Sequence, residues 1–264
     1  MEESTMSTYV MADIHGHLNE FMEMLNQIGF SNEDELILAG DYIDRGNQSL
    51  EMLKWVEKCP DRVILLKGNH DVEFAECIGI LDHLNKSKGL NETNLFDTKK
   101  LYKTIWQIPE TKDSCFDYYG TIENLIMYKQ VTLADLKRWA DLIKEMPYFC
   151  KRIVNGKTFI IVHAGYYEDD STPLEKLEKF YLYSREMAYT KGGVKGTTII
   201  AGHTPTIIKG LPMYTDGEVY HFYDKEKDCT FYDIDCGCGF NDSEWYQNGR
   251  LACIRLEDEE VFYV

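Results

Sequence analysis

Five short segments place Asp, His or Asn directly after an apolar run and beside a glycine. They are Asp13-Ile14-His15-Gly16, Gly40-Asp41-Tyr42-Ile43-Asp44-Arg45-Gly46, Gly68-Asn69-His70-Asp71, His163-Ala164-Gly165 and Gly202-His203-Thr204-Pro205. Four of the seven histidines lie in these turns. Such donors, with no thiolate among them, suit borderline or hard divalent cations such as Mn, Fe or Zn. Asp13, His15, Asp41, Asn69, His163 and His203 are too many for one tetrahedral site with an open position. They suit two ions that share a carboxylate. A pair of ions ~4 Å apart clamps a phosphate and generates hydroxide near neutral pH. His70 follows Asn69 directly, where it would face a leaving group as general acid. Asp44 would hold its other ring nitrogen, and Arg45 offers a planar fork for phosphate oxygens.

Each turn alone is weak, because an Asp at a strand end is ordinarily a cap or turn former. What carries weight is the joint occurrence, in order, each time after a buried strand. His17, His83 and His221 stand outside these turns and read as surface or packing residues.

The elements that must position these side chains are legible from periodicity. Tyr9 to Ala12, Leu36 to Ala39 and Val63 to Leu66 read as short buried strands. Leu18, Phe21, Met22, Leu25 and Ile28 recur at helical spacing until Gly29, and Leu50, Leu53, Trp55 and Val56 mark a second helix. Apolar strands alternating with helices imply a parallel sheet buried on both faces, whose strand ends gather ligand-binding loops. From about 72 to 147 there is no comparable strand. There Leu133, Leu136, Trp139, Ala140 and Ile143 form an amphipathic stripe, with Thr132 as N-cap. Asn155-Gly156 signals a hairpin, and Thr172-Pro173-Leu174-Glu175 reads as a capping box with Pro at N1. Thr197 to Ala201 is another buried strand. Beyond Val219, β-branched and aromatic runs suggest antiparallel strands, including a pair around Asn248-Gly249.

The chain has 264 residues, 44% of them hydrophobic and 13% aromatic, so a packed core is expected and wholesale disorder is excluded. Its net charge of −17 disfavours nonspecific binding to nucleic acid or to an anionic membrane. No apolar run approaches the ~18 residues of a membrane span. The acidic start Met1-Glu2-Glu3-Ser4 lacks a signal peptide's basic and apolar segments. The eight cysteines are scattered, which points to reduced thiols in a cytoplasm. Cys236-x-Cys238 has no second ligand pair at zinc-finger spacing and reads as buried thiols. Oligomeric state is not readable from the sequence.

The five blocks resemble those of the phosphoprotein phosphatase family of metallophosphoesterases, the calcineurin-like fold. Its pattern is Gly-Asp-x-His-Gly, Gly-Asp-x-Val-Asp-Arg-Gly, Gly-Asn-His-Glu, His-Ala-Gly and Gly-His. The resemblance runs in register from Asp13 to His203 and looks closest to short bacterial and phage-type serine/threonine phosphatases. The segments Asp233 to Gly239 and Leu251 to Leu256 resemble that group's last strands. The resemblance implies an α/β fold (α+β in some schemes): a β-sandwich of mixed sheets flanked by helices. One domain would span 1–264, with a mostly helical insertion at about 72–147.

It further implies two divalent ions, Mn foremost, with Fe or Zn as alternatives. Asp13, His15 and Asp41 would hold the first, and Asp41, Asn69, His163 and His203 the second, with Asp41 and a nucleophilic hydroxide bridging them. His70, paired with Asp44, would protonate the leaving alcohol. Arg45 and Asn69 would bind phosphate, together with a second arginine, for which Arg185 in Tyr183-Ser184-Arg185-Glu186 is the candidate. Its alternative is a surface position on the helix begun at Thr172. Ala12 and Asp71 depart from the pattern, which has Gly and Glu there. Ala12 ends a strand, where little harm is expected. Asp71 is not an ion ligand in the family.

The implied activity is a phosphomonoesterase acting on phosphoserine or phosphothreonine in proteins. The alternatives are a symmetrical diadenosine tetraphosphatase or a small-molecule phosphoesterase of the same fold, in which Trp106, Tyr118 and Tyr119 could stack a base unless they are packed inside. A catalytically silent binding module is disfavoured, because all six ligand positions and His70 are present.

Overall fold

The computed structural model describes residues 6–87, 95–108, 116–168, 171–190, 193–241, 244, 246 and 248–264. Two five-stranded mixed sheets face each other. The first has the order β10-β9-β1-β2-β3, with β1 Thr8–Met11, β2 Glu35–Leu38, β3 Val63–Leu65, β9 Ala252–Arg255 and β10 Val261–Tyr263. Strands β1, β2 and β3 run parallel, and β9 joins β1 antiparallel. The second has the order β4-β5-β6-β8-β7, with β4 Phe149–Val154, β5 Lys157–Val162, β6 Thr197–Ala201, β7 Tyr220–Asp224 and β8 Cys229–Asp233. Here β5, β6 and β8 are parallel.

Period-two alternation explains why both faces of each sheet are apolar. Val10, Ile37, Ile254, Phe159, Ile161 and Ile200 point into the seam between the sheets. Their neighbours Tyr9, Met11, Leu36, Leu38 and Cys253 point the other way, into a helical core. Ile160, Val162, Ile199, Ala201 and Phe231 do the same on the second sheet, against Tyr181 and Met187. The result is a sandwich of two sheets between two helical layers, an α/β architecture.

On the first sheet lie α1 Leu18–Gln27 and α2 Ser49–Lys58. Between β3 and β4 follow α3 Asn69–Ser87, α4 Leu95–Ile105, α5 Thr121–Met127 and α6 Leu133–Glu145. In α6 the stripe Leu133, Leu136, Trp139, Ala140 and Ile143 is buried, and Thr132 caps the helix in a reciprocal box with Asp135. The second sheet carries α7 Leu174–Tyr183 and α8 Glu186–Thr190.

Two local expectations need correction. Pro173 is itself the N-cap of α7, in extended backbone, so the helix begins one residue later than a Thr172 capping box requires. Among the described residues no antiparallel pair flanks Asn248-Gly249, and part of the segment before it lies outside them. The antiparallel pairs near the C-terminus are β7 with β8 and β9 with β10. Asn248 donates from Nδ2 to Asp216 at 3.0 Å, a tertiary contact. Asn155-Gly156 does turn β4 into β5, both residues taking positive φ (50° and 78°).

Candidate active site

Because β1, β2 and β3 run parallel, and β5, β6 and β8 likewise, the turns after these strands emerge at the same end of the sandwich. Backbone hydrogen bonds tie the turns together. Asp13 N–H donates to the Gly40 carbonyl at 3.1 Å, His15 N–H to the Asp41 carbonyl at 2.9 Å, and Gly202 N–H to the His163 carbonyl at 2.8 Å. Asp13 (φ 55°), His15 (49°), Asp41 (57°), Asp44 (71°), Arg45 (65°) and His203 (69°) all lie in the left-handed region. Asp and His tolerate it better than bulky or branched residues, and clusters of such strain mark functional sites. Ala12 keeps ordinary backbone, since the left-handed step falls on Asp13. An Ala is therefore harmless where the family has Gly.

Asp41 is the hub. Its Oδ2 lies 3.5 Å from His163 Nε2, 3.6 Å from His15 Nε2 and 3.8 Å from His70 Nε2. Its Oδ1 accepts the His70 backbone N–H at 3.0 Å. Asp13 reaches His15 Nε2 at 4.0 Å and accepts the His203 backbone N–H at 3.0 Å. Asn69 Oδ1 sits 3.0 Å from both His163 Nε2 and His203 Nδ1. The structure thus brings Asp13, His15, Asp41, Asn69, His163 and His203 together. Two clusters, His15–Asp41–His70 and Asp41–His163–His203, are compact enough to hold a cation each and share Asp41. Among the described residues, no cysteine belongs to either. Cys236 and Cys238 are buried thiols.

The protonation states suit cations. Burial drives His15 and His203 well below, and His163 below, the ordinary imidazole range, which leaves neutral rings. His15 Nδ1–H is taken by the Ile43 carbonyl and His163 Nδ1–H by the Ala39 carbonyl, both at 2.9 Å, so each turns its Nε2 lone pair toward Asp41. Burial opposes charge on Asp41, but His163, His70 and His15 around it hold its carboxyl well below the usual range. Burial and the nearby Asp235 and Asp41 push Asp13 well above it. Three carboxylates crowded in a buried space need a positive charge among them, and hard oxygen donors with neutral imidazoles fit divalent ions.

His70 Nδ1 lies 2.7 Å from Asp44 Oδ2. Burial lowers the affinity of His70 for a proton, but Asp41 and the Asp44 hydrogen bond outweigh it and lift the ring to about 9. Thr121 of α5 donates to the other oxygen of Asp44, and Ser49 Oγ accepts the Asp44 N–H at 3.2 Å. Asp71 accepts from the backbone N–H groups of Asp41 (2.7 Å), Tyr42 (3.0 Å) and Gly68 (3.0 Å). It braces the turn that carries Asp41.

A cavity of about 520 Å³ opens over these groups. Arg45 and Arg185 line it, Arg45 between the rings of Phe240 (4.7 Å) and Tyr119 (5.8 Å). Arg45 Nη1 is buried with no hydrogen-bond partner among the described residues. Arg185 falls between α7 and α8 and donates to the His203 carbonyl at 3.1 Å, so it belongs to the cavity wall. Tyr119 is 42% exposed and its ring centroid is 4.8 Å from that of His70, at the cavity mouth. Tyr118 is exposed, and so in part is Trp106, which packs one side of its ring on Tyr102 and Phe116. His83 and His221 are exposed, and His17 is buried beneath the site, 3.1 Å from the Ile14 carbonyl.

Phe240 and Tyr183 at the cavity and Asp235 beside Asp13 lie outside the five strand-end motifs. Asp235 carries the same signal as the other turns, a strand end followed by Cys236-Gly237. Phe240 and Tyr183 carry none, because their place at the cavity is set by distant packing.

The sequence profile of calcineurin-like phosphoesterases matches residues 6–237. A protein of Buchnera aphidicola subsp. Baizongia pistaciae named bis(5'-nucleosyl)-tetraphosphatase, symmetrical, is 42% identical over 87 residues. That alignment takes in 33% of this chain and 31% of the relative, so the chain spans about a third of the length of this relative. A Marinomonas protein of the same name is 24% identical over 97% of this chain and 96% of its own length. A crystal structure described as a candidate diadenosine tetraphosphatase superposes with a TM-score of 0.53 at 15% identity, over 100% of this chain and 95% of that one, which establishes likeness of fold. With the profile spanning most of its length, this chain belongs to the calcineurin-like phosphoesterase family.

Proposed function

We propose that the protein is a two-metal phosphoesterase that splits dinucleoside tetraphosphates symmetrically, releasing two nucleoside diphosphates. The observation that carries the phosphoesterase reading is the position of Asp41, whose carboxylate is shared by two His-containing clusters under an arginine-lined cavity. The choice of substrate rests on the names of the relatives, including one alignable along nearly the whole chain.

Asp13, His15 and Asp41 would hold one divalent ion, and Asp41, Asn69, His163 and His203 the other, with Mn as the first choice. Such ions supply Lewis-acid charge and lower the pKa of water. The remaining roles belong to the chain. Arg45 Nη1 and the Arg185 guanidinium bind phosphate oxygens and Asn69 borders them. His70 Nε2 faces the cavity and delivers a proton to the leaving oxygen, while Asp44 stabilises the imidazolium through Nδ1–H. Tyr119 and Phe240 flank this route and offer π-faces to the rest of the substrate. Seven cysteines that stand as thiols among the described residues suit a reducing compartment such as the cytoplasm. No described helix is long and apolar enough to cross a membrane.

A second reading, hydrolysis of phosphoserine or phosphothreonine in a protein, is favoured by the exposed aromatic rim at Tyr183 and Tyr189, which a peptide could reach. The test is a panel of diadenosine tetraphosphate, a phosphopeptide and an aryl phosphate with Mn supplied. A kcat/KM highest for the dinucleotide, with nucleoside diphosphate as product, supports the first reading. A preference for the phosphopeptide replaces it with the second. No turnover of any of the three by folded, Mn-loaded protein overturns both.

A further inference from the structure

We infer that Glu73 and Tyr183 are positioning residues that set the orientation of Asn69 and His203, an inference that rests on the reading of those two as metal ligands. The amide of Asn69 has two ends of nearly equal shape, one an acceptor and one a donor. Only the oxygen can serve a cation. In the structure Oδ1 is turned toward His163 and His203, at 3.0 Å from each. The opposite end, Nδ2, donates to Glu73 Oε1 at 3.5 Å. Glu73 lies four residues further along α3, on the same face. An ionised carboxylate accepts and never donates, so it selects the amide orientation that sends Nδ2 outward and Oδ1 inward.

Glu73 is itself held. The same Oε1 accepts the Tyr183 hydroxyl at 3.0 Å. Tyr183 ends α7, in the opposite helical layer, and its ring meets His203 edge to face at 6.4 Å. Two residues on, Arg185 donates to the His203 carbonyl. The corner from Tyr183 to Arg185 therefore grips His203 from two directions and reaches Asn69 through Glu73. A closed circuit runs Asn69, Glu73, Tyr183, His203 and back to Asn69. It links α3 to α7 and to the turn after β6 around one half of the site, and none of the five strand-end motifs contains Glu73 or Tyr183.

The experiment is calorimetric titration of the intact chain with Mn alone, beside thermal unfolding without metal and steady-state kinetics at rising Mn. For Glu73→Ala, one of the two Mn equivalents should weaken by ~10–100-fold, the usual cost of losing a group that orients a ligand. Saturating Mn should restore kcat, and the metal-free unfolding temperature should hold. Glu73→Gln keeps a carbonyl acceptor and should rescue most of the affinity. Tyr183→Phe should show a smaller loss confined to the same equivalent. Unchanged Mn binding in Glu73→Ala overturns the inference, as does a loss that Mn cannot rescue. Should Glu73→Ala fail to fold, unchanged Mn binding in Tyr183→Phe overturns it instead. A parent chain that binds no Mn overturns the metal reading itself, a result distinct from a parent that binds two equivalents and is indifferent to Glu73.

Discussion

His70 and Asp44 share a hydrogen bond of 2.7 Å between Nδ1 and Oδ2, although they come from different turns, 26 residues apart. The pairing leaves Nε2 as the one ring nitrogen that faces the cavity. Asp41 first and this pairing second raise the ring's affinity for a proton, which favours the state a general acid needs. His70→Asn should therefore lower kcat by ~10²–10⁴-fold while Mn binding persists. Steady-state kinetics with metal analysis of the same sample checks both halves. Loss of bound Mn in proportion to activity would show that His70 acts as a ligand.

Asp71 gathers three backbone N–H groups in a place with no solvent exposure. Asp71→Ala strands three buried donors, each costing about 1–3 kcal/mol. The sum is at least about 3 kcal/mol, a fall in Tm of roughly 6–12 °C for a chain of this size. Calorimetric unfolding of the metal-free protein measures it. A change under 2 °C, well below that ~6 °C floor, would mean that water replaces the carboxylate there.

Two glycines stand where another residue's functional atoms begin. A Cβ on Gly202 would lie 1.9 Å from Asp13 Oδ2, and one on Gly68 would lie 2.2 Å from Asp41 Oδ1 and Asp41 N. Gly202→Ala should displace Asp13 and weaken one Mn equivalent. Gly68→Ala should displace the shared carboxylate and weaken both. Titration with Mn distinguishes the two patterns.

Chelation should remove activity and stability together. The chain carries −17, and Asp13, Asp41 and Asp235 are crowded under the cavity. Ions present at 1,000 times their Kd add about 4 kcal/mol to folding stability. Adding chelator should thus lower Tm by several degrees and abolish phosphate binding. Equal phosphate affinity by calorimetry with and without Mn would refute the claim that the ions reverse the local field.

Tyr119 lies beside His70, with its ring over Arg45. Tyr119→Ala should lower kcat/KM for diadenosine tetraphosphate by roughly 3–10-fold, the value of one aromatic contact of about 1 kcal/mol. Aryl phosphate hydrolysis should change less. An equal fall for both substrates would place Tyr119 in support of Arg45 and not in recognition of the base.

The sequence by itself determined the short apolar strands, the turns that end them and the residue types those turns carry. These are local matters: burial on both faces of a strand imposes continuous apolar runs, and a left-handed turn selects Gly, Asp or His. For the same reason Thr132 and Asn155-Gly156 were readable as a cap and a hairpin. Only the tertiary structure decided what depends on approach between distant segments. It tied Asn248 to Asp216, moved the start of α7 past Pro173, carried Arg185 to His203, and set Glu73 of α3 against Tyr183 of α7. Contacts of that kind join positions 18 to 110 residues apart, and no local periodicity encodes which helical layer will cover which end of the sheets.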